Sequence, residues 1–280
     1  RAHRQGLMRA GLCRLLLTMA LVVLGGTGVF AQGQAGSEPA GPSIERALEQ
    51  LETSDEAATP RPGTRDTATV VRKGPRSSGA VALTFDDGYG LGTCRSIATT
   101  LRRSDAVGTF FINGQWLRRQ PEQWRRVLEG MEFGNHTRSH PYLTREPHPV
   151  VINQIRSNEW IHEQALGRPM LKVLRPPYGA HGERVGRIAK QLGYDHVVMW
   201  NVDTGDWKPG ATTKRIVRRA IGAAPGSIIL MHCGRAATAR AVPEIVRHYQ
   251  SRGIEVAGLS TVLEGASGTD GKAGQEGYGE

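Results

Sequence analysis

Cysteine is scarce in this chain, three residues in 280, at Cys13, Cys94 and Cys233. None has the Cys-x-x-Cys spacing of a zinc or dithiol site, which excludes the common cysteine-based metal and redox modules. Acidic residues are short relative to basic ones, 26 against 36, leaving a formal charge of +10. Such a surface is drawn to polyanions, an anionic cell envelope among them. The cations are scattered singly over helix faces, with no long basic run and few aromatics between them, and this argues against nucleic acid as a partner. A phosphate-cradling glycine loop, a Gly-x-Ser-x-Gly elbow and an internal repeat are also missing, so nucleotide enzymes, serine hydrolases of that type and solenoids drop out. With 39% hydrophobic and 22% charged residues the composition is that of a globular protein, not a multi-span membrane chain.

One apolar run stands out, Leu15 to Val23, preceded by Arg9 and Arg14 and followed by Val29-Phe30-Ala31. Residues 1–31 therefore read as an export signal cut after Ala31, or as an uncleaved membrane anchor. Residues 32–78 are rich in Gly, Ser, Thr and Pro and read as a linker, with one short helix around Ile44 to Leu51. Residues 265–280 read as a disordered, glycine-rich tail, which leaves 79–264 as the folded unit.

Within that unit β-rich runs alternate with stretches of helical period. The expected strands are Val81 to Phe85, Val107 to Ile112, Lys172 to Leu174, His196 to Trp200 and Ser227 to Met231. The expected helices are Cys94 to Leu101, Leu117 to Met131, Val150 to Leu166, a Val185-Ile188-Ala189-Leu192 face, Ile216 to Ile221 and Val242 to Tyr249. Repeated strand–helix units imply a parallel sheet, closed as a barrel or open and doubly wound, with chemistry at the strand C-termini. Cys94 shares an apolar helical stripe with Ile97, Ala98 and Leu101, so it is expected as a small core residue, although an oxidising compartment would permit a disulfide with Cys233.

Five segments after expected strands carry groups able to do chemistry. Thr84-Phe85-Asp86-Asp87-Gly88 puts two carboxylates at a strand end; such a pair either closes a turn or splits into a metal ligand and a free base. His136 and His140 lie four apart, a spacing that one helical turn would place on one face toward a cation. Together with one Asp they make three protein ligands, and a catalytic zinc leaves its fourth position open. Arg175-Pro176-Pro177-Tyr178-Gly179 is a stiffened loop that could aim the Tyr178 amide into a site. Asp203-Thr204-Gly205-Asp206-Trp207 and Leu230-Met231-His232-Cys233-Gly234 complete the set.

These five motifs, in this order, with Gly108 to Ile112 between the first two and Gly134 to Pro141 around the histidine pair, resemble the NodB-type polysaccharide deacetylases of carbohydrate esterase family four. The resemblance implies a distorted (β/α) barrel and removal of acetyl groups from an N-acetylglucosamine polymer such as peptidoglycan or a chitin-like oligomer. It implies a divalent cation, usually Zn²⁺, on Asp87, His136 and His140. It implies Asp86 as general base oriented by Arg175, the Tyr178 amide on the developing oxyanion, and His232 as general acid kept protonated by Asp203. Leu230 and Trp207 would wall the acetyl pocket. The glycine-rich Tyr89 to Thr93 stretch departs from the common pattern, and Cys233, next to the implied acid, either tunes it or packs.

Overall fold

The computed structural model describes residues 66–264; the expectations for 1–31, 32–65 and 265–280 lie outside them. In chain order the elements are β1 (Thr69–Val71), β2 (Ala80–Asp87), α1 (Leu91–Arg103), β3 (Thr109–Ile112), α2 (Gly114–Leu117), α3 (Pro121–Leu128), β4 (Glu132–Phe133), α4 (His148–Leu166), β5 (Val173–Leu174), α5 (Glu183–Gln191), β6 (His196–Val198), β7 (Val202–Asp203), α6 (Thr213–Ala220), β8 (Ile228–His232), α7 (Ala236–Gln250), β9 (Glu255–Ala257) and α8 (Leu259–Leu263).

The strands form two parallel sheets. One has the order β1-β6-β5; the other runs β4-β3-β2-β8-β7, with β9 also paired to β2. A parallel bridge between Asn135 and Leu174 joins the β4 edge to β5, and an antiparallel bridge between Lys73 and Ser227 ties the β1 side to β8. The result is a distorted, incompletely closed (β/α) barrel.

Strand period sorts the side chains into two layers. Val81, Leu83 and Phe85 of β2 and Ile229 and Met231 of β8 pack outward with the helices, whereas Ala80, Ala82 and Ile228 pack in a second cluster with Phe111, Val173 and Val198. The outer layer includes the Cys94, Ile97, Ala98 and Leu101 stripe of α1, fully buried as its period of three and four requires. Each large apolar side chain buried this way contributes about 1.5–3 kcal/mol.

Three expectations about the frame need correction. The folded unit begins before 79, because Thr69–Val71 pairs with His196–Val198; only Val71 of β1 is buried, so the strand carries no apolar alternation to find. The helix expected over Leu117 to Met131 is two helices, since Pro121 cannot continue the first and starts the second at its N1 position. Cys94 is buried as expected, but it is also in a disulfide with Cys233, which ties α1 to the residue after His232. Burial and pairing were never alternatives here: the two cysteines are 139 positions apart, and only tertiary packing makes them neighbours. No helix among the described residues is long and apolar enough to cross a membrane.

Candidate active site

The β2–β8 register sets Asp86 opposite His232 and Thr84 opposite Leu230. Residues two apart share a face, so Thr84 and Asp86 on β2 and Leu230 and His232 on β8 line the same side of the sheet. Strict alternation would send Asp87 to the other face. A left-handed φ of 77° at Asp87 breaks the alternation, and both carboxylates reach His136, at 3.8 Å for Asp86 and 3.6 Å for Asp87. Gly88 continues the turn at φ 100°, where a Cβ would lie 2.8 Å from the Ile112 side chain.

His136 and His140 do not sit on a helix. They occupy an irregular loop after β4 in which Thr137 and His140 have left-handed φ values of 67° and 66°. The loop is pinned from beneath: the Asn135 carboxamide oxygen accepts from the Thr137 amide at 2.9 Å, and the Thr137 hydroxyl accepts from the His140 amide at 3.1 Å. The same Asn135 donates to the Ile155 carbonyl of α4 at 2.9 Å, so the long helix fixes the loop that carries both imidazoles.

Asp87, His136 and His140 offer ligand atoms that all lie within 4.8 Å of one another. Asp87 Oδ1 is 3.6 Å from His136 Nε2 and 3.3 Å from His140 Nε2. A tetrahedral ion with ligand bonds of about 2.0–2.1 Å spaces its donors by about 3.3–3.4 Å, so the residues fit such a cation. His136 Nδ1 lies 2.6 Å from the Arg175 carbonyl; with the proton there, Nε2 keeps its lone pair for a metal. For His140, burial and then the neighbouring His136 charge push the pKa down to about 4, leaving the neutral imidazole that a metal requires. Burial alone would raise the Asp87 carboxyl, but its hydrogen bond to His136 and the nearby histidine charges outweigh it and hold the pKa at about 2.

Asp86 is buried against the fully buried Arg175, whose Nη1 donates to Asp86 Oδ1 at 2.7 Å and to the Thr84 hydroxyl at 2.8 Å. The other guanidinium donors meet the Val198 and Met199 carbonyls at 3.2 Å, and Phe111 lies beneath the cation at 4.1 Å. Four of the five guanidinium N–H groups are thus engaged, one of them on Asp86 Oδ1, and the other carboxylate oxygen faces His136.

His232 is held by Asp206, not by Asp203. Asp206 Oδ1 is 2.8 Å from His232 Nδ1, and its Oδ2 accepts from the His232 amide at 2.7 Å and the Thr238 hydroxyl at 2.5 Å. Asp203 instead caps its own turn, accepting from the Gly205 amide at 2.7 Å and the Trp207 indole at 3.3 Å. Gly205 at φ 67° reverses the chain between the two acids and carries Asp206 toward His232. Burial would lower the His232 pKa, but the Asp206 hydrogen bond and charge, helped by Asp86 and Asp87, raise it to about 9. The imidazole is therefore protonated at neutral pH, with Nδ1 engaged. Leu230 is buried beside it, while Trp207 is 45% exposed. Tyr178, 56% exposed, sits at a left-handed φ of 59°.

Comparison with known proteins places the chain in a family. A family profile described as polysaccharide deacetylase matches residues 73–197. Over 194 residues the chain is 31% identical to a chitooligosaccharide deacetylase of Azorhizobium caulinodans, covering 64% of this chain and 92% of that one. The chain belongs to the polysaccharide deacetylase family. It is also 34% identical over 180 residues to a peptidoglycan-N-acetylglucosamine deacetylase of Listeria monocytogenes, covering 62% of this chain but only 37% of the length of that relative. Among solved structures, a peptidoglycan N-acetylglucosamine deacetylase superposes with a TM-score of 0.66 at 31% identity, covering 71% of this chain and 94% of that one. A family pseudoenzyme from Bacillus anthracis superposes equally well, TM-score 0.66 at 24% identity, over 71% of this chain and 70% of that one. That neighbour shares the fold and is described as a pseudoenzyme, so activity depends on the side chains a fold presents and not on the fold alone.

The groups that sequence reasoning missed are Asp206, Thr84, Thr238 and Asn135. Asp206, Thr84 and Asn135 stand inside the segments named from the sequence, and Thr238 does not. Each supports the site through hydrogen bonds to residues distant in the chain, which no spacing reveals.

Proposed function

We propose that this chain is a metal-dependent deacetylase that hydrolyses N-acetyl groups of an N-acetylglucosamine-containing glycan, peptidoglycan before chitin-like oligomers, outside the cytoplasm. The observation that carries the reading is the convergence, at one end of the barrel, of a carboxylate held by a buried guanidinium, a three-donor metal set and a protonated imidazole. The relatives' names support the substrate class. The disulfide and the apolar Leu15 to Val23 segment support an exported protein.

Asp87, His136 and His140 would hold the cation, with Zn²⁺ favoured by two imidazoles and one carboxylate. When bound it supplies Lewis-acid polarisation of the acetyl carbonyl and acidifies water. The chain's own residues do the rest. Asp86, its Oδ1 fixed by Arg175, takes a proton from the attacking water. The Tyr178 backbone amide donates to the oxygen as tetrahedral charge develops. His232 gives its Nε2 proton to the departing nitrogen, which leaves as a neutral amine, and Asp206 stabilises the imidazolium until then. Leu230 and Trp207 wall the methyl group.

The test is acetate release by the full chain from N-acetylated and O-acetylated glycans, with chelator and with Zn²⁺ added back. Chelator-sensitive release from N-acetylated glycans supports the reading. Release only from an O-acetylated polysaccharide such as acetylxylan would make the chain an esterase, and metal binding with no turnover would leave a glycan-binding role.

A further inference from the structure

The two imidazoles of the metal set are supported differently. His136 has a backbone acceptor for its second nitrogen, the Arg175 carbonyl at 2.6 Å. His140 has no such acceptor among the described residues. Its ring instead meets aromatic rings, Tyr178 edge to face at 4.4 Å and His136 at 5.0 Å. Tyr178 in turn lies flat on Tyr142, with centroids 3.8 Å apart and planes within 10°. The Arg145 guanidinium covers Tyr142 at 4.6 Å. These four side chains make one continuous stack, Arg145, Tyr142, Tyr178 and His140.

Its outer end is built into the fold. Leu143, next to Tyr142, is completely buried. Arg184 of α5 donates to the carbonyls of Leu143 and Thr144 at 2.9 and 3.1 Å, and the Arg145 amide closes a turn onto the Tyr142 carbonyl at 2.9 Å. Tyr142 is therefore fixed from its own backbone. Both residues that it steadies, Tyr178 and His140, hold the left-handed φ values that non-glycine residues resist.

We propose that Tyr142, capped by Arg145, is a positioning residue for the metal ligand His140: the stack replaces the hydrogen-bonded support that a metal-bound imidazole ordinarily receives. The inference rests on the reading of Asp87, His136 and His140 as a cation site. It requires an aromatic face at 142, not a hydroxyl.

The experiment measures Zn²⁺ affinity of the full chain by competition with a chromophoric chelator, and KM and kcat for an N-acetylglucosamine oligomer at saturating Zn²⁺. Tyr142→Ala is expected to weaken Zn²⁺ binding by roughly tenfold to a hundredfold, the range for losing second-layer support of a ligand, with KM little changed. Tyr142→Phe keeps the ring and is expected to bind Zn²⁺ like the parent. Unchanged Zn²⁺ affinity in Tyr142→Ala, with KM raised, would overturn the proposal and make the stack a sugar contact. Equal losses in Tyr142→Phe and Tyr142→Ala would also overturn it, because the hydroxyl would then be the cause. Failure of the parent chain itself to bind Zn²⁺ would reject the cation site and the stack's role with it.

Discussion

Asp206→Asn tests the acid half of the site. The substitution keeps the size of the side chain and removes its charge, so the His232 imidazolium loses its nearest counterion. The pKa of about 9 stands about 2.5 above the ordinary 6.5, and each pKa unit is 1.36 kcal/mol, so the environment favours the imidazolium by roughly 3 kcal/mol. Burial opposes protonation, and of the remaining helpers Asp87 is neutralised when it holds a cation. In Asp206→Asn the pKa should therefore fall to 6.5 or below. At pH 7.5 the protonated fraction then drops from nearly all to about a tenth or less, a loss in kcat of at least roughly tenfold that recovers toward pH 6.

The sign extends to stability. A pKa raised on folding stabilises fully below the unfolded value near 6.5, and that contribution is lost as pH rises through about 9. The parent chain should lose roughly 3 kcal/mol of this contribution between those limits, and Asp206→Asn should lose little. The assays are a pH–kcat profile of acetate release and urea unfolding at pH 6, 7.5 and 9.5. An alkaline limb near pH 9 that survives in Asp206→Asn would refute the assignment of Asp206, and Asp203→Asn with the larger shift would restore the motif-based expectation.

Three further outcomes follow from the same geometry. Arg175→Ala leaves Asp86 buried without its guanidinium and should cost about 3–5 kcal/mol, read as a lower urea midpoint at pH 7. Replacing Cys94 and Cys233 together by Ala opens a link spanning 139 residues, for which chain entropy gives an upper value near 5 kcal/mol and experience about 2–4; reductant should lower the midpoint of the parent and leave the double variant unmoved. Asp86→Asn should lower kcat by about a hundredfold to ten-thousandfold while leaving Zn²⁺ affinity close to the parent's, because Asp86 lies outside the ligand set.

The strand–helix alternation, and the placement of Asp86, Arg175 and His232 at or after strand C-termini, were legible because burial imposes a period on the sequence. Long helices such as His148–Leu166 bury enough residues to show it. Short strands do not: Glu132–Phe133 and Val202–Asp203 have two residues each, too few for any period, and β1 is exposed at two of its three positions. The motif-bearing residues could be named in the sequence because their chemistry is local. Their mutual arrangement could not.

What the sequence concealed is concentrated in the backbone. Asp87, Thr137, His140 and Tyr178 all adopt left-handed φ without being glycine, and each departure re-aims a group that ordinary strand or helix geometry would send elsewhere. The four-residue spacing of the histidines suggested a helical turn, yet the imidazoles meet through two left-handed residues braced by Asn135. The choice between Asp203 and Asp206 turned on Gly205, whose positive φ decides which acid caps its own turn and which reaches His232. Such conformations cost about 1–3 kcal/mol each unless the surroundings enforce them. They persist here because Asn135 braces its own loop, while Arg184 and the Tyr142 stack hold the neighbouring backbone. The motif residues state which chemistry is available, and the backbone conformations with the groups that brace them decide whether the groups meet.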